Sequence, residues 1–297
     1  MKQTSLKSNF LFNLIYQILA VITPIFTTPY ISRVLSADGI GKYSYALSIV
    51  TYFGIFGCLG TATYGQLEIA RNRDNKKLLH KTVSEIFFGR LVTLMISLLI
   101  YFAVILKASG QYKLLYSVLS LYILGQMNDV SFILQGLEWF KMLAMRNIII
   151  KVLNIVLIFA LVREHNDLYI YAIIIHGITL IGNFSLWPQV IKYIKPKSFK
   201  NMNFIQHWKK SMIYFIPTVA TMVYTVLDKS MIGWITGSEF QNGYYEQAYK
   251  IEQILLVFVT TVGTVTFPRM AYFFENDNKE ERKRIMGITM KDRKSTR

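Results

Sequence analysis

Eight runs free of Asp, Glu, Lys and Arg divide the chain, over 8–32, 43–67, 91–106, 114–128, 152–162, 168–191, 211–227 and 253–268. A helix needs roughly 20 mostly apolar residues to cross a hydrocarbon core, slightly fewer where flanking charges snorkel outward. The pattern therefore predicts an all-α polytopic membrane protein. Its transmembrane helices are expected near 10–33, 41–66, 84–106, 113–137, 143–162, 168–190, 210–235 and 244–268. The first run is too long for a signal-peptide core and has no small-residue cleavage site behind it, so it is expected to remain.

Polar residues inside these spans keep helical spacing. Span seven carries Ser211, Tyr214, Thr218, Thr221, Thr225 and Asp228 at steps of three and four, which is one face of a helix. Span eight carries Glu246, Lys250, Gln253, Thr260 and Thr264; span one offers Asn13, Gln17, Pro24 and Thr27; span two offers Ser44, Ser48, Thr51 and Thr61. A helix facing lipid all round has no use for such a stripe. It either bonds neighbouring helices, at about 0.6 kcal/mol per contact, or lines a water-filled cavity. Four striped helices, two of them with ionised groups, favour a cavity lined by spans one, two, seven and eight. Pro24 and Pro29 in span one and Pro217 in span seven each remove a backbone donor and predict kinks. Gly54, Gly57 and Gly60 in span two point to close helix packing.

The striped spans also repeat. At an offset of 202, Gly41, Tyr43, Ala46 and Ile49 match Gly243, Tyr245, Ala248 and Ile251; at 203, Gly60, Thr61 and Thr63 match Gly263, Thr264 and Thr266. Spans one and two thus correspond to seven and eight. Six spans per repeat is an even number, so both repeats enter the membrane in the same direction. This predicts two parallel lobes around an axis along the membrane normal, with substrate between them. The chain would hold a complete six-helix N-terminal lobe and the first two helices of the second.

Charge supplies the orientation. Of 33 Lys and Arg, 24 fall in the termini and in every second connection, five (Arg33, Lys42, Lys107, Lys113, Arg163) fall at the other side, and Arg90, Lys151, Lys229 and Lys250 lie within spans. The positive-inside rule places both termini in the cytoplasm. The same dispersal argues against nucleic acid as a partner despite the net charge of +16, because a binding groove concentrates its cations on one surface. Trp139, Trp187, Trp208 and Trp234 fall at predicted interfaces, as amphipathic rings do.

Candidate chemistry is sparse. The single cysteine, Cys58, lies within span two, which leaves no disulfide framework and no zinc site. No Gly-rich phosphate loop, metal-ligand cluster or nucleophile–His–acid set stands out, so no cofactor is expected. The connections 34–40, 107–112, 163–167 and 236–243 are short, so the chain does not read as an enzyme. The intramembrane charges remain, each costing about 2.5–3.5 kcal/mol at mid-bilayer on insertion scales. Asp129 and Lys151 lie at similar depth on consecutive spans and form either an ion pair or part of a cation or headgroup site. Arg90 either snorkels or enters the cavity. Arg33, Asp228, Lys229, Glu246 and Lys250 gather towards the outer ends of spans one, seven and eight. Glu246 and Lys250 form an (i, i+4) pair, or the cluster holds a pyrophosphate and releases it when a carboxylate changes state. His176, mid-span six, is either a satisfied buried histidine or a titrating group.

The stretches "PYISRVLSADGIGKYSYALSIVTYFGIFGCLGTATYG" and "FIPTVATMVYTVLDKSMIGWITGSEFQNGYYEQAYKI" resemble the polysaccharide biosynthesis flippases. These are the Wzx-type O-antigen, capsule and exopolysaccharide transporters of the multidrug/oligosaccharidyl-lipid/polysaccharide superfamily. The resemblance implies flipping of undecaprenyl-pyrophosphate-linked oligosaccharide units across the bacterial cytoplasmic membrane. It also implies alternating access around a cationic cavity, a proton or sodium gradient, and a polysaccharide polymerase and chain-length regulator as partners. Arg33, Asp228 and Lys229 inherit the headgroup role from the resemblance, with Arg90, Lys151 and Lys250 added on physical grounds. The expected organisation is a six-helix lobe over 1–195, a cytoplasmic linker over 196–208, a partial two-helix lobe over 209–274 and a charged cytoplasmic tail over 275–297. Relatives carry 12 to 14 spans, so eight would mark a C-terminally truncated reading frame without activity. A multidrug or toxin extruder of the same superfamily and a non-transporting membrane assembly protein remain as alternatives.

Overall fold

The computed structural model describes residues 6–108, 110–195, 203–253 and 255–256, all-helical apart from short breaks and connections, with no strand among them. The chain divides into two units, Met1–Glu246 and Gln247–Arg297. In the first, α1 (Leu6–Cys58) is followed by α2 (Thr61–Asn72), α3 (Lys76–Ala108), α4 (Lys113–Asn128), α5 (Ser131–Gly136), α6 (Phe140–Leu161), α7 (Leu168–Phe184), α8 (Trp187–Val190), α9 (Phe204–Met222) and α10 (Asp228–Thr236). A further helix, α11, starts at 239 and runs to 253, across the boundary of the two units.

Six helical stretches among the described residues are long and apolar enough to cross a membrane: Ile22–Asn72, Lys76–Ile105, Lys113–Gly136, Phe140–Leu161, His165–Val190 and Phe204–Thr236. The first two expected spans fall together in Ile22–Asn72, whose 51 residues exceed the need of one crossing more than twofold. The expected loop over 34–40 shrinks to one residue, Ser36, at φ 55° and ψ 176°. The break lets the two arms of α1 take different neighbours. Tyr30 bonds the Val162 carbonyl just beyond α6, whereas Tyr43 reaches His176 in α7. Pro24 and Pro29 sit inside the helix, so the first arm turns at a serine and not at a proline. Most of the eighth expected span, 244–268, lies outside the described residues, as do the linker residues 196–202 and the tail.

Two further breaks follow local chemistry. Leu59 and Gly60 both adopt positive φ between α1 and α2, and glycine alone enters that region freely. Span four divides at Asp129 and Val130, where the Asp129 carboxylate accepts the Ser131 backbone N–H at 2.9 Å and so serves the start of α5. In the other half of the unit, α9 and α10 join through a π-helical turn, Val223–Leu227, one turn beyond Pro217.

The unit has two apolar cores. One centres on Leu35, Val50, Leu94, Leu119 and Ala172, the other on Ile69, Val83, Ile133, Leu134 and Val190. Large apolar side chains also face outward, among them Leu99, Ile181, Ile213 and Ile216. Exposure on that scale suits lipid and would be a liability in water. The connections poor in charge meet at one end, where Asp38, Lys42, Tyr112, His165 and Glu239 interact. The basic connections meet elsewhere, through Arg73–Glu138, His80–Tyr193 and Lys192 over Trp139. The alternation of charge along the sequence is thus an alternation of ends in space.

Candidate functional site

At the charge-poor end the second arm of α1 lies directly against the start of α11. The closeness is set by two glycines. A Cβ on Gly41 would overlap the backbone carbonyl of Glu239, and a Cβ on Gly243 would overlap that of Ala37. These four residues form two pairs at the repeat offset, since Ala37 corresponds to Glu239 and Gly41 to Gly243. Each glycine therefore meets the counterpart of the residue that the other meets. Ser44 then donates to the carboxylate of its own counterpart, Glu246, at 2.8 Å and a separation of 202. Mutual contacts of this kind are those of an isologous interface about a two-fold axis.

The seam carries the charges. Lys229 Nζ lies 2.7 Å from Glu246 Oε2, with side chains 16% and 12% exposed. Glu246 thus receives Lys229 from α10 and Ser44 from α1. Asp228 accepts the Tyr245 hydroxyl at 2.7 Å. One turn along, Ser230 shares its hydroxyl with Ser48 at 2.8 Å and with Tyr52 at 2.7 Å. Towards the connections Lys42 bridges Asp38 at 2.8 Å and Glu239 at 3.4 Å, and Tyr112 donates to Glu239. Two lysines thus stand among four carboxylates, and each lysine lies within ion-pair distance of at least one of them, so neither cation is buried without a partner.

Of the expected residues, the structure brings Lys229, Glu246 and Asp228 to this seam. Arg33 stays exposed on the first arm of α1 and makes no ion pair among the described residues. Lys250 lies half-buried in the second unit. Glu246 lies 2.7 Å from Lys229.

Asp129 and Lys151 do not form the expected pair. Asp129 faces Arg90, at 3.9 Å, because the break at Asp129 turns its carboxylate towards α3. Lys151 makes no ion pair among the described residues and is half-buried on α6. Arg90 does not snorkel. It is 2% exposed, donates to the Gln126 carbonyl at 3.0 Å and its side-chain oxygen at 3.2 Å, and lies 5.4 Å from the Phe132 ring centre. His176 is buried, with Tyr43 at 3.1 Å and the Tyr122 ring edge-on. These groups lie on α3, α6, α7 and the break between α4 and α5.

One cluster was not legible beforehand. Glu85 on α3 is buried, faces His207 on α9 at 3.1 Å and accepts the Asn203 backbone N–H at 3.1 Å, while Tyr64 on α2 meets the other His207 nitrogen at 2.8 Å. The signal available was that Glu85 is the only carboxylate between Asp74 and Asp129. Its partner, 122 residues away, leaves no trace in local spacing.

Comparison with known proteins places the chain. The family described as polysaccharide biosynthesis protein matches over residues 6–274. A protein of Shigella dysenteriae named "Putative O-antigen transporter" is 24% identical over 253 residues, covering 84% of this chain and 63% of its own length. A protein of Escherichia coli (strain K12) with the same name is 21% identical over 271 residues, covering 90% and 65%. The chain therefore spans less than two thirds of the length of these relatives. No solved structure matches it significantly.

Proposed function

This chain belongs to the polysaccharide biosynthesis protein family, and on that premise we propose that it moves an undecaprenyl-pyrophosphate-linked oligosaccharide unit across the cytoplasmic membrane. The destination is O-antigen, capsule or exopolysaccharide. The names of the two relatives support the transport role, and the polyprenyl-linked cargo follows from the family resemblance. In this reading the chain carries eight transmembrane helices, six in a first lobe over 1–195 and two of a parallel second lobe over 209–274. Both termini are cytoplasmic. No bond of the cargo is made or broken, so the chain is not an enzyme. A proton or sodium gradient supplies the work.

The observation that carries the proposal is the Lys229–Glu246–Ser44 group on the seam between repeat-related helices. An interface of close backbone contact can open here without stranding an ion, because Glu246 keeps Lys229 on its own side and Lys42 keeps Asp38 on the other. Closed, the seam shuts the charge-poor end; open, it would admit an oligosaccharide to that side. Alternating access needs such a two-state contact. A chain with Lys229→Met and Glu246→Gln, expressed in cells whose surface polysaccharide depends on this protein, is expected to leave lipid-linked units on the inner leaflet. Surface polysaccharide at the parental level would overturn the reading.

A further inference from the structure

Beside the seam, at the charge-poor end, lies a cavity of about 230 Å³ with the wall chemistry of a carbohydrate site. Tyr45, Tyr112 and Tyr116 contribute its aromatic surface, and Lys42, Glu239 and Asn242 its polar groups. The most informative of these is Asn242. It is 0% exposed, its Nδ2 donates to the Lys229 carbonyl at 3.1 Å, and its Oδ1 has no hydrogen-bond partner among the described residues. A buried carbonyl oxygen without a donor costs about 1–3 kcal/mol, and Asn242 is a lining residue of this cavity, so a donor supplied from the cavity would remove that cost.

We propose that this cavity binds a single pyranose ring, with a sugar hydroxyl donating to Asn242 Oδ1. The ligand must combine two features. It needs hydroxyl donors for Asn242 and Glu239, and a flat C–H face for tyrosine rings, whose electron-rich faces attract polarised C–H groups. A pyranose has both, and the volume lies below the roughly 300 Å³ at which pockets for drug-sized molecules begin, which limits the occupant to about one ring. A phosphate fits poorly, since Glu239 would repel it and the one lysine of the wall, Lys42, already bridges Asp38 and Glu239. The site is separate from the Lys229–Glu246 pair, and Asn242 joins the two, because it holds the backbone of Lys229. Occupancy would thus reach the seam through one side chain. That the sugar arrives as cargo rests on the transport reading; the cavity's chemistry does not.

The test uses the full chain in lipid nanodiscs and saturation-transfer NMR with methyl α-glucopyranoside, methyl α-galactopyranoside and methyl N-acetylglucosaminide, with 1,6-hexanediol as the apolar control. At least one glycoside is expected to take up saturation well above the diol. Asn242→Leu, which keeps the volume and removes the acceptor, should weaken it by about tenfold, the effect of one hydrogen bond to a buried group. Ser238→Trp fills the cavity from its rim and gives the same result if Asn242→Leu lowers helical content. Polyprenyl-phosphate-linked N-acetylglucosamine added to the nanodisc then separates the sources. Displacement of the glycoside supports a membrane-borne sugar in the cavity, and undiminished glycoside signal supports a free one. Transfer no greater than to the diol, or transfer that survives both substitutions, overturns the proposal and leaves a water-filled cavity. Sugar binding retained in a chain that fails to support export would overturn the transport reading instead.

Discussion

The seam at the charge-poor end and the centre around Arg90 both bury charge, and they do it by opposite means. Arg90 is enclosed within one six-helix assembly. Its side chain is 3% exposed, its carboxylate is 3.9 Å away, and the short contacts come from Gln126 and an aromatic ring. That is a cation enclosed by one helix unit and held through Nη2 alone, with Nε and Nη1 left without hydrogen-bond partners among the described residues. Lys229 on α10 and Glu246 on α11 meet at 2.7 Å, and Glu246 crosses the glycine seam to α1 only through the Ser44 hydroxyl at 2.8 Å. A hydroxyl–carboxylate contact across a seam can be broken and remade while the carboxylate keeps its cation, whereas Arg90 has no contact that could part without stranding its charge.

The largest effect expected from attacking that contrast is at the glycines. Gly41→Leu puts a side chain against backbone, which no rotamer can relieve. In a Cys58→Ser background, cysteines at positions 37 and 239 should cross-link readily, and Gly41→Leu should abolish the product. Cross-linking that persists would mean that the seam adapts and is not set by the glycines.

Next comes Arg90. Arg90→Met removes a buried cation and leaves Asp129 and Gln126 facing apolar volume, with an expected loss of about 3 kcal/mol in reversible unfolding. The seam should score lower in the same assay, because Glu246 keeps the Ser44 hydroxyl: Lys229→Met is expected to cost about 2 kcal/mol. A loss at Lys229 equal to that at Arg90 would erase the distinction between the two sites. Tyr43→Phe, which deprives His176 of its partner, should cost least, about 0.6 kcal/mol.

Legibility followed the same division. Helical periodicity and charge alternation revealed the class of protein and the grouping of its connections, since insertion into a bilayer is decided locally, helix by helix. The repeat was also legible, because Gly41 and Gly243 are the same residue at the same register. Depth arguments failed for Asp129 and Lys151. Counting residues along two helices gives the height of each side chain but not its azimuth, and the break at Asp129 turned its carboxylate to α3. The Glu85–His207–Tyr64 cluster failed for a related reason, as its members come from three helices with no common spacing.

The sequence alone therefore determined the all-helical membrane class, the grouping of the connections by charge and the repeat that pairs Gly41 with Gly243, because apolar length and local charge carry those outcomes. Only the tertiary structure decided which charges meet. A carboxylate at a given depth can face any of several cations, and the choice among them is made by helix rotation, by a break such as that at Asp129, and by how closely two glycine backbones can approach.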